Sequence, residues 1–280
     1  GDIKVNSSLR YDNRTVSPKA DISELRFSGI SAGIKGSKPL SSCLDFNISF
    51  GKSFRAPALE ELFSEGPHLA AYSYEVGNPD LKAENGIGID AGLEFKNRNG
   101  NASISVFRND YSNYIHSTNT GELEVGPGEL GYLPLYQFKS QEALLTGVEL
   151  NTTAYISDNF EIDGNCSYVK GDLQDSPLPL IPPLSGSITL RYDSDPFELT
   201  LTGRGSAEQD RLGEFEEPTD SYITSDASLA WHHAGAKYWH AVVLKIRNIG
   251  DVEYYNHLSR IKSIMPETGR NVSLLYRVTF

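Results

Sequence analysis

The amino-acid sequence predicts an all-β fold: a segment of an antiparallel transmembrane β-barrel with about twelve strands, short periplasmic turns and long extracellular loops. Three observations predict it. Apolar and polar residues alternate with a period of two along most of the chain, short and long connections follow one another in regular succession, and aromatic residues gather toward strand ends. The 280 residues contain no composition break that would mark a linker, so residues 1–280 read as one continuous architecture.

Taken in order, Ile3, Val5, Leu9 and Tyr11 fall in one phase and make the first segment a strand. Leu44, Phe46, Ile48 and Phe50 then alternate with Asp45, Asn47 and Ser49. Ile87, Ile89, Ala91, Leu93 and Phe95 oppose Gly88, Asp90, Gly92 and Glu94, which gives one oily face and one charged face. The same rhythm returns in Phe160, Ile162 and Cys166, in Phe197, Leu199 and Leu201, and in Val272, Leu274, Tyr276, Val278 and Phe280. No helical period of comparable strength occurs. No apolar run approaches the roughly 18 residues of a membrane-spanning helix. A spanning strand shows lipid only every second side chain, so 39% hydrophobic residues and a mean hydropathy of −0.37 are compatible with a membrane wall.

Tight polar turns are expected near residues 35–39, 97–101, 157–159, 193–196 and 234–237, each rich in Gly, Asn, Asp, Ser or Pro. Longer connections fall near residues 55–83, 116–135, 172–183, 208–221 and 251–269. Short turns on one rim and long loops on the other are a barrel property. A soluble sandwich gives no reason for the alternation, and its strands average about six residues rather than ten or more. Trp231 and Trp239 flank one short turn, and Tyr168, Tyr192, Tyr222 and Tyr276 lie toward strand ends, where amphipathic rings sit at headgroup level.

A net charge of −12 argues against a nucleic-acid partner, which requires a basic face. The acid-rich stretch 208–220 reads as solvated loop surface. Cys43 and Cys166 are too few for a disulfide scaffold; the strand pattern sets them on different strands and opposite faces as free thiols. Serine, histidine and aspartate residues are plentiful, but none sits in a nucleophile-elbow signature and no glycines form a phosphate cradle, so the chain reads as no enzyme.

Several stretches then carry a resemblance. Ser53-Phe54-Arg55-Ala56-Pro57, Glu60-Glu61-Leu62-Phe63 and Gly77-Asn78-Pro79-Asp80-Leu81-Lys82-Ala83-Glu84 come first. Thr146-Gly147-Val148-Glu149-Leu150, Leu180-Ile181-Pro182-Pro183, Asn248-Ile249-Gly250-Asp251-Val252-Glu253-Tyr254 and Pro266-Glu267-Thr268-Gly269-Arg270-Asn271 follow. As a set, in order and spacing from Ser53 to Phe280, they resemble the barrel of TonB-dependent outer-membrane receptors. The terminal Phe280, in phase with Tyr276, resembles the signal such barrels present to their assembly machinery.

The resemblance implies the C-terminal half of a receptor of the bacterial outer membrane, with the plug domain and the first barrel strands absent from this sequence. It implies partners too: the lipid bilayer, the barrel-assembly machinery and, through the missing plug, the inner-membrane TonB energy-coupling complex. Asp90, Glu94, Glu149, Arg191, Arg204 and Arg277 would then face the lumen and meet plug or water. The stretch from Glu65 to Asn78 is similar to a loop of the zinc-uptake branch, in which a histidine at the place of His68 binds zinc. A zinc ion or a metal chelate is therefore the expected cargo, with His68 as ligand. His116, His257, His232, His233 and His240 lack ligand spacing and read as solvated or rim histidines. The alternative is an autotransporter-type translocator or other free-standing pore of twelve strands. Such a translocator would begin with a pore-threading helix, where this chain begins with a strand.

Overall fold

The computed structural model describes residues 2–17, 24–128, 131–235 and 237–280. Twelve strands form the wall. They are β1 (Lys4–Val16), β2 (Leu25–Pro39), β3 (Leu44–Arg55), β6 (Glu84–Asn97), β7 (Gly100–Val125), β8 (Tyr132–Ser157), β9 (Phe160–Leu173), β10 (Ser185–Ser194), β11 (Phe197–Ser206), β12 (Tyr222–Ala234), β13 (Trp239–Arg247) and β14 (Asn271–Thr279). The connection from β3 to β6 carries a five-residue helix α1 (Leu59–Phe63) and two short strands, β4 (Glu65–His68) and β5 (Ser73–Val76). Each wall strand pairs antiparallel with its neighbours in chain order, and β1 and β14 are the two edges of the sheet. Among the described residues no helix is long and apolar enough to cross a membrane, which leaves crossing by strands open.

Away from the outer ends of β7 and β8, the register keeps the two faces separate. Ile48 lies opposite Ala91, Leu93 opposite Ile104, Ile104 opposite Leu150, and Leu150 opposite Cys166. The oily row continues through Leu190 and Leu201, Leu199 and Leu229, and Leu244 and Leu274. These large apolar side chains stay exposed, Val106 at 49% and Ile188 at 61%. Such an extensive apolar surface is what a lipid-facing wall requires and a water-facing one avoids. The buried apolar cluster of Val16, Leu62, Leu81 and Ile115, with Phe27, Phe63 and Phe138 packed against it, sits at the long-loop rim.

Two connections differ from the expected ones. The turn expected at residues 35–39 lies at 40–43, closed by the Leu40 N–H donating to Leu44 O at 2.7 Å. Gly36, Ser37 and Lys38 continue in the ladder opposite Ile48, Asn47 and Phe46, and Pro39 is tolerated as the last strand residue. Cys43 therefore lies in a turn rather than on a strand; Cys166 lies on β9, and both are free thiols. The segment 116–135 is mostly strand, since β7 and β8 run 26 residues each. Irregularities between Tyr111 and Tyr114 and between Asn119 and Leu123 shift the register. The first sets one extra β7 residue against β8 and swaps the face that β7 presents, which hides the alternation from a period-two reading; the second sets two extra residues there and keeps the phase.

Candidate functional site, a crown of interlocked loops

Above the wall, the long connections pack into a crown, and its first part explains the densest motif in the chain. Arg55, at the end of β3, donates from Nη1 to both Glu61 oxygens at 2.9 Å and from Nη2 to Glu84 Oε2 at 3.1 Å. Glu61 also accepts the Ala58 N–H at 2.7 Å, which caps α1. The chain then returns over this helix. Gly77 N–H donates to Ser64 O and Asn78 N–H to Glu61 O, while Asn78 Oδ1 accepts the Asp80 N–H at 2.9 Å in an Asx turn. A Cβ at Gly77 would stand 2.5 Å from Phe63 N, so the close approach admits only glycine.

The hairpin of β4 and β5 lies against the outward part of β8, with Tyr74, Glu75 and Val76 in parallel register with Leu135, Tyr136 and Gln137. Glu75 is the polar centre of this corner. Its Oε1 lies 3.0 Å from His68 Nδ1 and accepts from Arg260 Nη1 at 2.6 Å. Arg260 comes from the last loop, donates to Ser73 Oγ at 3.3 Å and lies 4.4 Å over the Tyr136 ring. Its Nε is buried without a partner among the described residues. Burial pushes the Glu75 carboxyl up, but the His68 and Arg260 contacts outweigh it and hold the group below its ordinary value.

A second polar centre joins three loops. Glu216 accepts the backbone N–H of Leu180 and of Gly213, each at 3.0 Å. Its Oε1 lies 3.0 Å from His257 Nε2 and 3.2 Å from Lys262 Nζ. His257 Nδ1 reaches Thr219 Oγ1 at 3.0 Å, and Lys262 donates to His257 O at 3.1 Å. Burial alone would raise the Glu216 carboxyl, yet these donors lower it to about 2. Burial also lowers the Lys262 ammonium, against the pull of Glu216. Two expectations are corrected here. His257 is no rim histidine, being only 2% exposed, and Glu216 shows that the acid-rich stretch is not uniformly solvated surface. Between the two centres lies a cleft of about 240 Å³ whose lining includes Tyr72, His116, Tyr136, Phe215 and Arg260. Burial lowers the His116 imidazole, which keeps it neutral near pH 7.

The structure brings His68 into this crown, with 54% of its side chain exposed. Among the described residues no group of three or more His, Cys, Asp or Glu side chains is gathered to hold an ion. Asp90, Glu94, Glu149, Arg191, Arg204 and Arg277 all fall on the face opposite the oily row, as the register of their neighbours requires. Asp90 accepts from Ser49 Oγ at 2.9 Å, Arg191 pairs with Glu161 at 2.5 Å and Asp163 at 3.3 Å, and Arg204 pairs with Asp226. Glu94, Glu149 and Arg277 have no ion-pair partner among the described residues. Tyr276 lies in the oily row with its hydroxyl 2.8 Å from His240 Nδ1, and Phe280 is 93% exposed. Sequence reading missed Glu75, Tyr136, Arg260, Glu216 and Lys262, because the contacts that define them join loops far apart in the chain.

Residues 1–249 match the family described as TonB dependent receptor-like, beta-barrel. The Ferrienterobactin receptor of Escherichia coli (strain K12) is 33% identical over 137 residues, covering 45% of this chain and 18% of that protein. Hemoglobin-haptoglobin utilization protein B of Neisseria meningitidis serogroup C is 26% identical over 227 residues, covering 68% of this chain and 28% of that one. The solved structure of Copper transporter OprC superposes with a TM-score of 0.77 at 19% identity, covering 99% of this chain and 45% of the other. The chain thus spans less than a third of the length of these two relatives and under half of that solved structure. The match speaks against an autotransporter-type translocator and against an enzyme. Together, the two-faced antiparallel wall, the short and long rims and the family match establish that the chain belongs to the TonB-dependent receptor β-barrel family of the bacterial outer membrane.

Proposed function

We propose that the chain forms the C-terminal part of a receptor wall through which a scarce metal ion or metal chelate is taken up. The single observation that carries this reading is the two-faced sheet of twelve wall strands with two unpaired edges. An edge left open in hydrocarbon would strand its backbone N–H and C=O groups, so β1 and β14 need further strands to close the wall. In a closed receptor, Asp90, Glu94, Glu149, Arg191, Arg204 and Arg277 would line the lumen and meet a plug or water. That plug would connect to the inner-membrane TonB energy-coupling complex, and Tyr276 with Phe280 would serve barrel assembly. Relatives named for a ferric chelate and for haemoglobin–haptoglobin support iron-bearing cargo, and one named for copper supports metal uptake in general. The test is metal accumulation by cells with and without the receptor under iron or zinc restriction. Uptake that needs the receptor and stops when the proton-motive force is collapsed is expected; equal accumulation in both strains overturns the reading.

A narrower reading assigns zinc, with His68 as one ligand. The 3.0 Å contact between His68 Nδ1 and Glu75 Oε1 favours it, because ligating histidines bond a carboxylate through the second ring nitrogen. The other ligands would come from outside the described residues. His68→Ala should then lower zinc uptake and leave uptake of chelated iron unchanged; an unchanged zinc uptake removes this narrower reading only.

A further inference from the structure

We infer that Arg260 is a clasp across the mouth of the crown cleft, and that the cleft opens along the seam this one side chain bridges. The crown consists of two blocks. One block is the β4–β5 hairpin laid in parallel register on β8, together with the outward part of β7. The other is the connection 174–184, the connection 207–221 and the tip of the last loop, tied together by Glu216, His257 and Lys262. Gln209 Nε2 donating to Ile181 O at 2.9 Å adds to this second block, and Arg211 ties it to the wall through Gly171 O at 2.7 Å and Asp172. The cleft has Tyr72, His116 and Tyr136 on the first block and Leu180, Phe215 and Ile264 on the second.

Across that seam, every side-chain hydrogen bond among the described residues belongs to Arg260: to Glu75 at 2.6 Å and to Ser73 at 3.3 Å, with Tyr136 beneath its guanidinium. The Phe215 ring also comes close to the first block, where a Cβ at Gly121 would stand 2.8 Å from it. The two sides of the clasp differ in what opening would expose. Separating the second block internally would strip Glu216 of two backbone donors and of its side-chain partners His257 and Lys262 at a site where its side chain is 7% exposed. Separating the blocks at Arg260 instead releases a side chain that is 22% exposed and returns its orphaned Nε to water. Glu75 keeps His68 and Ser73 as partners after the break. The seam is therefore where the crown parts first.

The experiment measures access to the cleft in the complete receptor on cells, with Cys43→Ser and Cys166→Ser removing the thiols of this chain and any cysteine elsewhere in the receptor replaced likewise. Ser117→Cys, half-buried in the cleft lining, reports access through its rate of reaction with a membrane-impermeant maleimide, and Asp175→Cys, exposed on the rim, is the control. Arg260→Gln should speed labelling at position 117 by about tenfold, the loss expected for a charged hydrogen-bonded contact, and leave position 175 unchanged. Exchanging the charges, Glu75→Arg with Arg260→Glu, should restore slow labelling. An unchanged rate at 117 in Arg260→Gln, or equal acceleration at 117 and 175, overturns the clasp. Arg260→Lys, which keeps the charge and loses the fork, should give an intermediate rate if the glutamine variant fails to insert; the wild-type rate in Arg260→Lys overturns the proposal equally. None of these rates depends on the cargo, so a failed uptake reading leaves the test intact.

Discussion

The wall and the crown place opposite chemistry in opposite surroundings. In the wall, backbone groups are paired strand to strand while Leu, Ile, Val and Phe side chains stay exposed on one face. In the crown the apolar side chains share the interior with Ser73, Glu75, Glu84, Thr219, Asn248 and His257, all buried. The wall is completed by a solvent, since hydrocarbon takes the role that a packed core has elsewhere. The crown is completed by specific partners, and each buried charge there depends on one or two named side chains. The wall should therefore tolerate exchange within a face and fail when a face is violated, whereas the crown should fail at single residues.

The largest expected effect breaks the crown alone. Glu216→Ala leaves the Lys262 ammonium and the Leu180 and Gly213 N–H groups without their acceptor. Loss of one partner from a buried charged cluster costs about 3–5 kcal/mol. Hydrogen exchange should accelerate in the connections 174–184 and 207–221 and in the last loop, with wall amides unchanged. Loss of protection throughout the wall would show that crown and wall are one cooperative unit.

Next in size is the converse experiment. Val106→Arg puts a charge in the oily row and should cost about 2–4 kcal/mol if the residue lies near the bilayer midplane, while Ser105→Arg on the opposite face should cost well under half of that. Folding into vesicles followed by denaturant titration measures both. Equal costs would mean that the two faces are not divided between lipid and lumen.

A pH titration separates the regions without mutation. The Glu216 carboxyl stands at about 2 rather than 4.5, so its contribution is complete above pH 4.5 and is lost as the pH falls from there toward 2. That shift corresponds to about 3 kcal/mol as an upper bound, since the cost of burying the Lys262 ammonium offsets part of it. Glu75, also held low, titrates in the same direction. Crown amides should lose protection over this interval before wall amides do; a simultaneous loss would assign the acid sensitivity elsewhere.

What the sequence made legible follows the same division. Strand phase is a local property, so Ile87 to Phe95 and Val272 to Phe280 declare their faces within nine residues, and the register agrees. Asn78-Pro79-Asp80 was equally legible because an Asx turn is local chemistry. The β7–β8 extension was not, because the register shift between Tyr111 and Tyr114 reverses the phase of β7 partway. Nor were Glu75 and Arg260, which lie 185 positions apart and meet only in the folded crown. The signal nearest to legible was Glu216, an acid within a loop whose neighbours Gly213 and Pro218 suggest a tight path. Its burial comes from His257 and Lys262 in another loop.

The smallest expected effect concerns the charges of the polar face. Arg191 lies between Glu161 and Asp163 at 2.5 and 3.3 Å, but its side chain is 42% exposed and water screens the pair. Arg191→Gln should therefore cost the wall only about 0.2–1 kcal/mol. The informative quantity is the difference between two preparations of the whole barrel, one without a plug and one as the complete receptor. If the polar face meets only water, the cost is the same small number in both. If it meets a plug, Arg191→Gln should cost more in the complete receptor, because Glu161 and Asp163 would then lose their cation in a site closed to solvent. A difference in the opposite direction would mean that Arg191 is repelled by what fills the lumen, and the polar face would then be a surface the plug avoids.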